Sequence, residues 1–154
     1  MSLWDWAVAA YGAPGVADAC LALQDHHEQN VPLLLWSAWV AETGRRPDEE
    51  TIEAACDTAR TWDGVVTAPL RAVRRTLKAP VPDIDDGPRE AMRARIKAIE
   101  LEAEKHLLEA LEALAPTPGG PKRAAIDGLV ATARVWSSIT PRPALIRLAE
   151  TLPA

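Results

Sequence analysis

The run Gln24-Asp25-His26-His27-Glu28 brings imidazoles and carboxylates together, and a second acidic pair, Glu100 and Glu104, lies four residues apart. That spacing projects both carboxylates of the pair from one side of a helix. Carboxylates and imidazoles converging inside a helical bundle are how such proteins hold metal ions. One reading is therefore a metal-dependent enzyme or ligand-binding protein that uses Asp25, Glu100 and Glu104 with a histidine. The usual di-metal signature, Glu-x-x-His on each of two helices, is missing: His106 follows Glu102 at i+4 and has Ala103 at i−3. His-Glu-x-x-His is missing as well. The plainer reading makes His26 and His27 a solvated helix end, favoured there by the macrodipole. No metal site and no cofactor is expected.

A second constellation is Arg71, Arg74, Arg75 and Lys78, a basic stripe at i, i+3, i+4 and i+7, set opposite Leu70, Val73 and Leu77. Arginine matches planar anions bidentately, so the stripe could grip phosphates, an RNA backbone or an acidic protein segment. Ion pairing across helices, with the acids of the first half or with Glu100 and Glu104, is the preferred explanation. The net charge of −5 argues against nucleic acid. An RNA- or ribosome-associated factor working through Arg71–Lys78 is the weakest reading. A third constellation is the indoles: Trp36 and Trp39 at i and i+3, with Trp4, Trp6, Trp62 and Trp136 elsewhere. Four of the six are expected in the core. Trp4 and Trp6, two apart, cannot both face inward from one helix, so one of them is expected at a partner contact.

No nucleophile motif emerges, neither a Gly-x-Ser-x-Gly elbow nor a phosphate-cradling glycine loop, and no catalytic residue is assigned. Cys20 and Cys56 sit inside apolar helical patterns and read as buried free thiols of a reducing cytoplasm. The longest strongly apolar stretch, Val31 to Ala41, is about half the roughly 20 residues that a membrane span needs. A soluble cytoplasmic protein without membrane association is expected.

The elements that must position these residues are helices punctuated by Pro and Gly. Ser2 caps the first, which ends at Gly12 and Pro14. Val16, Ala19, Cys20 and Leu23 form the buried face of the second. Asn30 caps a third, apolar nearly all round and hence central, which Gly44 closes. Asp48 opens the next, with Ile52, Ala55, Cys56, Ala59 and Trp62 inward. Asp63-Gly64 then breaks or bends the chain, and Thr67 with Pro69 restarts a helix that buries Leu70, Val73 and Leu77. One kinked helix is the alternative. Residues 79–88 are a linker to a long helix near 88–115, striped by Met92, Ile96, Ile99, Ala103, Leu107, Leu111 and Leu114. At 1.5 Å per residue it is roughly 40 Å long and is expected to protrude or to pack on a second copy. After the breaker at 115–121, a helix with Ile126, Leu129, Val130, Ala133 and Trp136 precedes a short one opened by Thr140-Pro141.

The 154 residues, 48% of them hydrophobic and 25% charged, suit one globular domain. The expected fold is all-α, a single-domain bundle of six to eight helices. Residues 1–115 form the main domain, and residues 116–154 a C-terminal helical extension packed on it. Charge alternates along the chain: residues 1–63 carry −8, 64–82 carry +4, 83–115 carry −4 and 116–154 carry +3. Such alternation suits helices packing on one another or a basic patch offered to a partner.

Over roughly residues 3–112 the chain resembles a family of small proteobacterial proteins known only as a domain of unknown function, family 2390. The resemblance lies in Leu3-Trp4-x-Trp6 leading to Tyr11, in Cys20-Leu21-x-Leu23-Gln24-Asp25, and in Asn30-Val31-Pro32-Leu33-Leu34-Leu35-Trp36 with Trp39. It continues through Trp62, Pro69-Leu70-Arg71, Arg74-Arg75, Ile96-Lys97 and Glu100-Leu101-x-Ala103-Glu104. The chain departs from it at Glu28-Gln29-Asn30, where members often have Gly and then Asp. The resemblance implies no activity, but it directs attention to Gln24, Asp25, Arg71, Arg74, Glu100 and Glu104. Polar groups at inward helical positions must pair, because an unpaired buried charge is costly. A cross-helix network or the floor of a pocket is expected from these six, with Trp4, Trp6, Arg75 and Lys78 as partner-binding candidates. The leading functional expectation is a non-enzymatic adaptor or regulatory module with a protein partner or a second copy.

Overall fold

Ser2 begins the first helix, α1 (Leu3–Tyr11), by accepting the Asp5 N–H at 3.1 Å and donating its own proton to the Asp5 carboxylate at 2.8 Å. This computed structural model describes residues 1–153. Helix α2 (Val16–His27) follows a short turn and ends in Glu28, whose positive φ of 52° reverses the chain. Asn30 then caps α3 (Val31–Glu42), its Oδ1 accepting the Leu33 N–H at 3.0 Å, with Pro32 in the first turn. Every residue from Val31 to Ala41 is buried, which makes α3 the axis of the fold.

Gly44 follows the Thr43 cap of α3 with φ of 69°, and its carbonyl accepts the N–H groups of Gly119 and Gly120 at 3.1 Å. The loop at 115–124 is thereby tied to the end of α3. Helix α4 (Glu49–Trp62), capped by Asp48, runs without interruption through a π turn (Asp63–Thr67) into α5 (Ala68–Thr76). The Ala68 N–H reaches the Asp63 carbonyl across this wider turn. Asp63-Gly64 thus widens a helix rather than ending it, as in the kinked-helix alternative. Helix α6 (Asp86–Leu114) has 29 residues, followed by α7 (Ala125–Trp136) and α8 (Arg142–Thr151). Counting α4, the π turn and α5 as one helix, the all-α fold has seven helices and no strand among the described residues.

The core is one cluster around Trp36 and Trp39, closed by Leu23, Leu107, Leu111, Leu129, Leu145 and Leu148. Burying each large apolar side chain contributes roughly 1.5–3 kcal/mol. Helix α7 lies closest to α3: a Cβ on Gly128 would collide with the Ser37 carbonyl oxygen, so only glycine permits this approach. Buried residues of α7 and α8 belong to the same cluster as those of α1 to α4. Among the described residues no single helix is long and apolar enough to cross a membrane.

Three expectations are corrected. Leu70, Val73 and Leu77 are not a buried face, since α5 buries none of its residues and Val73 is 47% exposed. An α-helix advances 100° per residue, so the extra residue of the π turn rotates everything beyond it by about one position. Without it, Leu70, Val73 and Leu77 would continue the inward row of Ala55, Ala59 and Trp62. With it, Thr67, Arg71 and Arg74 take that row. Second, Met92, Ile99 and Leu114, 53%, 47% and 37% exposed, leave the stripe of α6; Ile96 keeps its place, and Arg89 and Glu100 are buried beside it. Third, Trp4 and Trp6 are both half-buried against the core, on two flanks of α1. Trp62 and Trp136 are half-buried as well, with their ring N–H groups donating to the carbonyls of Ala103 and Glu28.

Candidate functional site

The turn between α2 and α3, the π turn and the middle of α6 enclose a polar cavity of about 310 Å³. Each wall exists for a local reason. The positive φ of Glu28 and the capping role of Asn30 hold the 28–30 turn against the entrance of α3. The Gln29 amide donates to the His27 carbonyl at 3.1 Å. Opposite, the π turn puts Asp63, Thr67 and Arg71 on one row. Single π turns of this kind recur at functional sites because they break the side-chain phase of a helix at one chosen point. From α6 comes Glu104, and from α7 Trp136, whose N–H meets the Glu28 carbonyl at 3.0 Å. The Arg60 guanidinium lies 4.5 Å over the Trp136 ring and donates to that residue's carbonyl at 2.9 Å.

Of the six network candidates, Gln24, Arg71 and Glu104 border the cavity. Arg74 and Glu100 form a closely made pair beside it, Nε to Oε2 at 2.6 Å, with both side chains largely buried. Asp25 lies outside, half-exposed, accepting from Gln24 at 3.4 Å and from Arg75 at 3.3 Å. Arg71 stands 3.6 Å from Asp63. Among the described residues, three of the four cations of the basic stripe therefore meet carboxylates, and Lys78 does not. Asp63, Thr67, Gln29 and Trp136 were not singled out as site residues in the sequence. Asp63 carried a signal, since it heads the irregular Asp63-Gly64 step, whereas Trp136 meets Glu28 across a separation that no local pattern reveals.

Glu104 is the electrostatically unsettled group. Burial pushes its carboxyl above the usual carboxylate range; Arg71 pulls it back, Glu100 pushes it further up, and Arg74 and Asp63 follow with opposite smaller effects. Among the described residues no cation lies within ion-pairing distance of it. The lining sets Glu28, Asp63 and Glu104 against the single cation Arg71, with amides from Gln24, Gln29 and Asn30. Such a lining can receive a positively charged, hydrogen-bond-donating group. Among the described residues no three His, Cys, Asp or Glu side chains are grouped to hold a metal ion. His26 and His27 are exposed at the end of α2, and His106 faces Glu102 at 3.7 Å on the surface. Asp25, Glu100 and Glu104, the carboxylates of the metal reading, point to three different partners or environments.

The thiols are buried and unreactive: desolvation raises Cys20 to about 12 and Cys56 to about 11. Trp4 lies under the Lys105 ammonium at 5.4 Å and borders an apolar groove between α1 and α6. Trp6 sits beside Glu42, Lys122 and Arg123 on the other flank. Neither the curated proteins nor the solved structures contain a match to the chain. The family model "Protein of unknown function (DUF2390)" matches residues 2–111, which include every network candidate but not Trp136. That match covers more than half of the chain, which therefore belongs to the DUF2390 family.

Proposed function

We propose that this chain is a non-enzymatic regulatory module that binds a small organic cation, an amine or amidine with further hydrogen-bond donors, in the π-turn cavity. The observation that carries the reading is Glu104: a partly buried carboxylate with no ion-pair partner among the described residues, at the wall of an acid-rich cavity. A purely structural seam would neutralise it, as Arg74 does for Glu100. An uncompensated buried charge lowers stability unless a ligand completes it. Asp63 and the amides of Gln24, Gln29 and Asn30 supply acceptors for the remaining donors, and Trp136 an aromatic wall for the cation.

Calorimetric titration with butylamine and 1,4-diaminobutane tests this. Saturable binding of the diamine, lost in Glu104→Gln and weakened in Asp63→Asn, is the expected result, with succinate inert. No amine binding, or equal binding by Glu104→Gln, overturns it.

A second reading rests on the groove of about 470 Å³ between α1 and α6. Val8 and Leu101, 53% and 57% exposed, flank it with Trp4 and Tyr11. Exposed apolar side chains around a groove mark a protein contact, here a second copy or a partner helix. Sedimentation velocity showing a dimer that Leu101→Lys dissociates supports this reading, and a monomer at all concentrations removes self-association. The RNA reading loses ground because Arg71, Arg74 and Arg75 are already occupied by Asp63, Glu100 and Asp25.

A further inference from the structure

Lys78, the one member of the basic stripe without a carboxylate, reaches a second concavity formed by the end of α5 and the first half of α6. We propose that this concavity binds a phosphate-class oxyanion, a phosphomonoester dianion carried by a soluble small molecule or by a lipid headgroup. Its volume is about 310 Å³, and its walls set four cations, Lys78, Arg89, Arg93 and Lys97, against the single carboxylate of Glu90. Arg89, Arg93 and Lys97 follow one another at i, i+4 and i+8 and therefore lie along one ribbon of α6.

The four cations have different tasks. Arg89 is buried and already committed: it donates to the Leu77 carbonyl at 2.7 Å and to the Asp86 carboxylate at 3.2 and 3.3 Å. It ties α6 to the end of α5 and fixes the floor. Arg93 is uncommitted. Its Nε is buried and has no acceptor, and neither it nor Lys78 nor Lys97 makes an ion pair among the described residues. A buried guanidinium N–H without an acceptor is a rare and costly arrangement that an incoming oxygen relieves. The planar fork of Arg93 suits two oxygens of one anion, while Lys78 and Lys97 act as point charges on either side. With Asp86 and Glu90 both set against Arg89, an excess of two positive charges remains, which favours a dianion over a monocarboxylate. No aromatic side chain lines the concavity, so it offers no stacking surface for a nucleic-acid base.

This site shares no residue with the π-turn cavity, and the two proposals fail separately. Calorimetry of the full chain with inorganic phosphate, against acetate at equal ionic strength, is the test. Saturable phosphate binding is expected, weakened roughly 10-fold or more in Arg93→Gln and in Lys97→Gln. Glu104→Gln should leave it unchanged. Lys97 is exposed, so its variant stays informative if the circular dichroism of Arg93→Gln shows lost helix. Glycerol 3-phosphate and phosphatidylcholine vesicles doped with phosphatidic acid separate the two sources of the anion. Binding of the first alone supports a soluble ligand, and vesicle pelleting lost in Arg93→Gln supports a headgroup. Phosphate heats no larger than those of acetate overturn the proposal, as do unchanged affinities in both variants or binding confined to an RNA oligomer.

Discussion

From Leu107 to Leu111, α6 is held by leucines packed on the indole core, whereas from Arg89 to Glu104 the same helix is held by charges. Both regions make buried contacts, by different physics, the second through Arg89 and Glu100 beside the apolar Ile96 and Ala103. The apolar region gains from removing surface from water and tolerates no change of shape, because interiors are close-packed. The ionic region gains little net energy: the attraction in each pair is largely spent on desolvation. What it provides is direction, since each guanidinium must face one particular carboxylate. The contrast teaches that stability in this protein resides around α3 and α7, while the π turn and the first half of α6 carry cavities and unpaired charge.

The largest effect should come from the apolar region. Trp36→Ala, which removes the largest fully buried side chain, is expected to cost about 3–5 kcal/mol in urea denaturation. A loss below about 1 kcal/mol would break the comparison. Trp36→Phe tests a finer point, because the Trp36 ring N–H is buried with no acceptor, and removing it offsets part of the lost volume. Gly128→Ala forces α7 away from the Ser37 carbonyl and should cost roughly 2–3 kcal/mol.

In the ionic region, Arg74→Met strands the buried Glu100 carboxylate and is expected to cost about 2 kcal/mol. The double variant Arg74→Met/Glu100→Met should recover most of that loss. Failure of the second substitution to rescue the first would show that the pair is a net source of stability. Glu104→Gln should move stability the other way. Its carboxyl is raised in the folded state, so the folded protein holds that proton more tightly than the unfolded chain does. The penalty of the charged form is absent at pH values below the ordinary carboxylate range and grows as the pH rises through the folded-state value. The variant should match the parent in acid and be the more stable of the two at neutral pH, the sign of a functional rather than structural carboxylate. The smallest effect belongs to the exposed Asp25–Arg75 pair: Arg75→Ala should change stability by less than about 0.5 kcal/mol, and salt should erase the difference.

Much of the fold is legible in single residues. Ser2, Asn30, Asp48 and Gly44 each mark a helix end by a capping chemistry that acts over three or four residues. The unbroken apolar character of Val31–Ala41 places α3 at the centre. The candidate site is legible only in part. Gln24, Arg71 and Glu104 stand out as polar residues at helical spacing, yet the cavity they border also needs Asp63 and Trp136. Asp63 reads as a breaker because Gly follows it, and Trp136 reads as core because its neighbours are apolar.

By itself the sequence determined that the chain is helical, where most helices begin and end, and which helix is central. These properties depend on backbone hydrogen bonding and on burial periodicity within a few turns. Only the tertiary structure decided which face of α5 turns inward. One extra residue at Asp63–Thr67 rotates everything after it by about 100°, and a regular 3.6-residue reading cannot register that shift. The same rotation seats Arg74 on Glu100, leaves Glu104 unpaired and exposes Val73. Pairings across 26 to 108 residues of chain settle whether a polar side chain is neutralised, solvated or left facing a cavity.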